Sequence, residues 1–137
     1  MSCPFFIPRE AADDIAFPHP GRLPLGRGWR GACSVPGHEQ ATLGPKELES
    51  CNLGYAKSCS RLPRERSSDA MRFAVVRDSK GQVSVEFVLE REHLPVAHGR
   101  LQFDRQSRNW TPPHPDERIQ SKAERFLEAY LKRTGPP

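Results

Sequence analysis

Four thiols are the residues in this chain best suited to chemistry. They stand at Cys3, Cys33, Cys51 and Cys59, separated by 29, 17 and 7 residues. No pair forms C-x-x-C, so the usual zinc knuckle is absent. Cys51 and Cys59 enclose Asn-Leu-Gly-Tyr-Ala-Lys-Ser. On one continuous helix these two thiols would lie about 12 Å apart along the axis. Two sulfurs on one zinc must lie about 3.8 Å apart, given bonds near 2.3 Å. A continuous helix therefore fails, and Gly54 offers the break that lets Cys59 fold back beside Cys51. Tyr55 would then be a lid or packing contact over the centre.

Four thiolates can hold an iron–sulfur cluster or a zinc ion. The leading expectation is a four-cysteine cluster, [4Fe–4S], ligated by Cys3, Cys33, Cys51 and Cys59, because single cysteines in Gly/Pro-rich loops suit it. The alternative is structural zinc held by four cysteines, or by three with His38 or His19. A third reading treats the cysteines as small buried hydrophobes or disulfides. Four thiolates on either centre leave about −2 of charge. Arg30, Lys57 and Arg61, each two or three residues from a cysteine, could offset it. Four protein ligands leave no open coordination position, so the role is structural or electron-transferring rather than Lewis-acid catalysis.

Other signals are thinner. The histidines (His19, His38, His93, His98, His114) make no H-E-x-x-H pair. Cys33 and His38 could form a nucleophilic pair, but no third residue orients them. GRLPLGRGWRG is not a phosphate-binding loop, since it lacks the terminal Gly-Lys-Ser/Thr and follows no strand. Its arginines, with Arg61, Arg64 and Arg66, could line a basic face on which Trp29 stacks a base, although Glu65 interrupts the second cluster. Asp13 and Asp14 read as exposed charges or a helix start. No complete catalytic set is present, so the reading leans away from an enzyme.

The chain has 137 residues, a length that fits a single domain, 1–137, and it carries a net charge of +4. Its mean hydropathy is −0.70, and 24 residues are Gly or Pro. A core this lean would gain from a metal or cross-link. The opening MSCPFFIPRE lacks a signal-peptide pattern, and no apolar run is long enough to span a membrane. These features predict a cytoplasmic protein with no membrane partner, in a compartment where thiols stay reduced.

Two halves must position the thiols. Residues 1–68 hold all four cysteines and eight of the fourteen prolines. They read as loops, with a short turn near Arg9–Asp14. One helix near 45–53 is expected, with Pro45 in its first turn and Gly54 just past its end. Residues 69–137 read as a hairpin: Met71, Phe73 and Val75 alternate, Asp78-Ser79-Lys80-Gly81 turns, and Val83, Val85, Phe87 and Leu89 alternate back. A third strand is expected over 99–105. PDERIQSKAERFLEAYLKR then reads as a covering helix with Ile119, Ala123, Phe126, Leu127, Tyr130 and Leu131 on one stripe, stopped by Gly135-Pro136-Pro137. The predicted fold is α+β: a three-stranded antiparallel meander packed on a C-terminal helix, with a loop-rich N-terminal half tied by the four-cysteine site. The predicted function is a small metal-binding protein, carrying an iron–sulfur cluster and served by a protein or redox partner. The alternative is a zinc-stabilised nucleic-acid-binding or protein-interaction module.

Overall fold

The structure is a computed structural model, and it describes residues 1–18, 20–54 and 59–134. Expectations for His19, Tyr55, Lys57 and the Gly135-Pro136-Pro137 stop fall outside those residues. The architecture is α+β, with two antiparallel sheets and two helices among the described residues.

The second half follows its apolar alternation. β3 (Ala70–Ser79) and β4 (Gln82–Arg91) form the hairpin. Lys80 and Gly81 take φ of 54° and 77° in the turn, the left-handed pair that a two-residue hairpin loop requires. β5 (Leu94–Asp104) is longer than the expected 99–105 strand. It carries Pro95 at an irregularity opposite Leu89 and Glu90, the kind of place where a strand tolerates proline. β6 (Asn109–Trp110) adds a fourth strand beside Phe103 and Asp104. The three-stranded meander is thus corrected to four strands, in the order β3-β4-β5-β6. A two-residue strand shows no alternation, which is why the sequence pattern does not reveal it.

The covering helix, α2, runs Glu117–Thr134. Asp116 caps it: its carboxylate accepts from the Arg118 backbone N–H at 2.9 Å. Ile119, Ala123, Phe126 and Leu127 are buried as the stripe predicts, and Phe126 stacks on Phe73 with ring centroids 5.8 Å apart.

The first half differs from the loop expectation. β1 (Phe6–Ala11) and β2 (Trp29–Cys33) form an antiparallel pair running from Phe6 opposite Cys33 to Ala11 opposite Trp29. Arg9–Ala11, expected as part of a turn, belong to β1. Two features reconcile strands with this composition. Pro8 sits at a register irregularity, and Gly31 allows close approach, since a Cβ there would fall 1.9 Å from the Ile7 carbonyl oxygen. The half orders because it has an apolar surface to bury on. Phe6, Leu25 and Trp29 share one core with Val83, Val85, Phe126 and Leu127, and α2 packs against both β1 and β4. Between the strands, Pro20–Arg22 make one 3-10 turn. α1 (Pro45–Leu53) has the expected bounds, and Gly54 caps it in the left-handed conformation, φ 80°.

Candidate metal centre

Each of the four cysteines sits at the end or corner of an element. Cys3 lies at the corner before β1, where the Phe6 N–H donates to the Cys3 carbonyl at 3.2 Å. Cys33 is the last residue of β2, opposite Phe6. Cys51 is in the last turn of α1. Cys59 begins a turn in which the Leu62 N–H bonds back to its carbonyl at 3.2 Å.

A backbone hydrogen bond joins two of these places directly. The Cys3 N–H donates to the Cys51 carbonyl at 3.0 Å. Ser2 exchanges two bonds with Met71 of β3, at 2.7 and 2.8 Å, so the first residues are wedged between α1 and the larger sheet. Gly54 packs on this segment so closely that a Cβ would lie 1.7 Å from the Met1 carbonyl oxygen.

Asn52, next to Cys51, fixes α1 on β2. Its side-chain oxygen accepts from the Trp29 N–H at 2.9 Å, and its amide donates to the Trp29 carbonyl at 3.0 Å and the Leu48 carbonyl at 2.7 Å. The buried Asn52 amide thus acts as a one-residue strand along the edge of β2. The sequence analysis missed it, because a lone asparagine in a helix carries no pattern that marks it.

All four cysteines line a single cavity of about 20 Å³, closed elsewhere by Phe6, Val35 and Leu62. Cys3, Cys33 and Cys51 are buried and Cys59 is half-buried, and all four are free thiols. His38, the alternative ligand, is not among the residues lining the cavity. Among the described residues, no three His, Cys, Asp or Glu side chains are arranged to hold a metal ion as they stand.

Two of the thiols, Cys51 and Cys3, are held in the neutral form by burial. Burial pushes the Cys51 thiol far up, and its neighbours Cys3, Cys33 and Cys59 push it further, while Arg61 opposes them. Burial likewise raises Cys3, against a hydrogen bond from the Phe5 backbone N–H and the attraction of Lys122. A nucleophilic cysteine needs the opposite, a depressed pKa. Cys33 lines the cavity and His38 does not, so the structure does not bring the proposed Cys33–His38 pair together there.

The flanking cations divide differently from the sequence reading. Arg61 lines the cavity and pairs with Glu47 at 2.7 Å. Arg30 instead grips Asp14 through two bonds, at 2.5 and 2.7 Å, and Arg27 pairs with Asp13. Asp13 and Asp14 are thus ion-pair partners rather than a helix start. The basic face with a stacking tryptophan does not form, because Trp29 is 1% exposed and donates its indole N–H to the Leu25 carbonyl at 3.1 Å.

Lys122 is the second residue that sequence reasoning missed. It is 0% exposed, and its ammonium donates to the Pro4 and Arg118 carbonyls, each at 3.0 Å. Burial brings its pKa down to about 7. The signal was available: position 122 lies three after Ile119 and four before Phe126, inside the apolar stripe.

No protein-family model, no curated protein and no solved structure matches this chain.

Proposed function

We propose that Cys3, Cys33, Cys51 and Cys59 bind one tetrahedrally coordinated metal ion, zinc foremost, that staples the first half of the chain in a reducing, cytoplasmic setting. The observation that carries this reading is convergence. Segments spread from residue 3 to residue 59 bring all four cysteines of the chain to one small cavity. To ligate one ion the sulfurs must come within about 3.8 Å of one another, and a change of χ1 swings a thiol by roughly 3 Å with the backbone still. A tetrathiolate set selects zinc or iron over hard cations.

The size of the cavity supports a single ion ahead of a four-iron cluster. About 20 Å³ accommodates one water-sized body. The Phe5 N–H directed at Cys3 supports thiolate character there, as amide donors do around thiolate-bound metals. A site closed by four thiolates acts as a staple or electron carrier, and the raised pKa values of Cys3 and Cys51 argue against a nucleophile at either of those two positions.

The test is the zinc, iron and sulfide content of anaerobically purified protein, with Cys51→Ser and Cys59→Ser alongside. About one zinc per chain, lost in both variants, is expected. About four irons with four sulfides would make the centre the cluster instead. Unchanged metal content in both variants, or four reactive thiols and no metal in the parent, would sink the shared site.

A second reading, a nucleic-acid-binding module, is favoured by one end of the larger sheet. Arg77, Lys80, Arg105, Arg108 and Arg133 gather there against Asp78 and Asp104, a net +3 of the chain's +4. The Arg105 N–H bonds to the Gly81 carbonyl at 2.9 Å, placing the two turns side by side. Asp78 is engaged by Arg105 at 2.8 Å and by the Tyr130 hydroxyl at 2.6 Å. Lys80, Arg108 and Arg133 are exposed. Such a surface suits phosphates rather than base edges. Binding of generic oligonucleotides should weaken with a log–log salt slope of about −3 to −4, and absence of binding at about 50 mM salt would dismiss it.

A further inference from the structure

Lys122 is a buried cation in need of an anion. It is 0% exposed, and both of its hydrogen-bond acceptors are neutral carbonyls. Among the described residues no carboxylate stands within ion-pair distance of it. Asp116 attracts it from further away, but that carboxylate is already gripped by Arg118 at 3.2 Å, and Arg118 repels Lys122. A charge taken out of water without a partner is strongly disfavoured, and proteins that keep one almost always supply its counter-charge.

The missing anion lies in the direction of the thiols. Of the groups around it, Cys3 as a thiolate would favour the charged ammonium most, and Cys51 would contribute as well. The connection is through one corner of the chain. Cys3 presents its sulfur to the Phe5 N–H, while the next residue, Pro4, presents its carbonyl to the Lys122 ammonium at 3.0 Å. Arg61, the other nearby cation, is already matched by Glu47. Lys122 is the positive charge left over.

We propose that Lys122 is the internal counter-cation of the four-thiolate centre, a positioning residue that favours a dianionic metal–thiolate complex over four neutral thiols. The inference rests on the metal reading above. Binding releases four protons from four thiols and leaves a divalent ion with four thiolates at −2. Lys122 supplies one of the positive charges that this burial requires, and its amine touches no metal.

The experiment compares the full-length parent with Lys122→Met and Lys122→Arg, each loaded with cobalt(II) or zinc and titrated with a competing chelator. Lys122→Met should lose about ten- to a hundredfold in affinity, the usual range for outer-shell partners of a metal site. Lys122→Arg, which keeps the charge, should recover most of it. The visible spectrum of the cobalt form should stay tetrahedral in both, showing an intact centre. In iron-loaded protein the reduction potential should fall in Lys122→Met, because removing a positive charge disfavours the more negative reduced state. Unchanged affinity and potential in Lys122→Met would overturn the proposal and leave Lys122 a donor to Pro4 alone. A parent that binds no metal would overturn the metal reading itself, and this proposal with it. Should Lys122→Met fail to fold, the unmodified zinc protein decides. A Lys122 side chain with the nitrogen resonance of a charged ammonium at neutral pH supports the proposal, and that of a neutral amine overturns it.

Discussion

Lys122→Met should stabilise the metal-free protein at neutral pH and destabilise it in alkali. In the absence of a metal the buried ammonium is a liability. Its pKa drops from 10.5 to about 7 on folding, which corresponds to about 5 kcal/mol against the charged form. The sign follows from proton counts. Below pH 7 both folded and unfolded states hold the proton, and the folded state bears the full penalty. Between 7 and 10.5 the unfolded chain holds more protons, so stability rises with pH until the penalty is gone. Methionine matches the lysine stem in volume and adds no charge. It leaves the Pro4 carbonyl without the donor it now has at 3.0 Å, at a cost of about 1–3 kcal/mol. The variant should therefore be about 2–4 kcal/mol more stable than the parent near pH 6, equal near pH 9, and less stable by about 1–2 kcal/mol beyond pH 10. Cys3 and Cys51 act in the opposite direction, since their raised pKa values withdraw stability as pH climbs past 9. They do so in both proteins and largely cancel in the comparison. Urea unfolding with chelator and reductant, at about pH 6, 9 and 10, measures the crossover. A variant less stable by the same margin at every pH would refute the reasoning, because it would mean that burial does not penalise the ammonium.

Asn52→Ala should cost about 2–4 kcal/mol by urea unfolding, because it orphans the buried N–H and carbonyl of Trp29; a loss under about 1 kcal/mol would deny Asn52 its strand-like role. Gly54→Ala and Gly81→Ala form a matched pair with φ of 80° and 77°. Gly81 has open space around it and should lose only about 1 kcal/mol. Gly54 meets the Met1 carbonyl, so it should lose more and should also release metal; equal losses in unfolding experiments would contradict the packing described. Alkylation of metal-free protein, followed by peptide mass analysis, should label Cys59 before Cys3 and Cys51, whose thiols are buried and raised. Uniform labelling would indicate that the cavity is not closed.

The second half was legible because its physics is local. Alternation in β3 and β4 and the stripe of α2 state which face is buried, and Pro45 and Gly54 mark both ends of α1. The strands of the first half were not legible, because they are decided at long range, whereas α1 in the same half carries its own local signals. FIPREA and WRGAC contain a proline and a glycine that local propensity counts against them. They pair because Phe6 and Trp29 find Val83, Val85 and Phe126 across the molecule. Lys122 misled for the same reason: lysine is normally a surface residue, and only the Pro4 carbonyl, 118 residues away in sequence, makes its burial intelligible.

The placement of the cysteines gives that long-range order a chemical purpose. The contacts that hold Cys3 beside Cys51 are one hydrogen bond, one bridge to Met71 and a glycine packed on Met1. Each is a modest interaction, worth on the order of 1 kcal/mol. Together they close loops of tens of residues, and the closure entropy opposing them is several times larger than any one bond. A single ion shared by Cys3, Cys33, Cys51 and Cys59 would close all of those loops at one point, at the ends of β2 and α1, adding to the Asn52 bonds that already join the two elements. Removing it should therefore loosen residues 1–68 while the hairpin and α2 persist. Amide hydrogen exchange with and without chelator would show this as protection lost in β1, β2 and α1 but retained in β3 and β4. Equal loss across all five would mean that the two halves fold as one unit and that the centre does not act as the staple of the first.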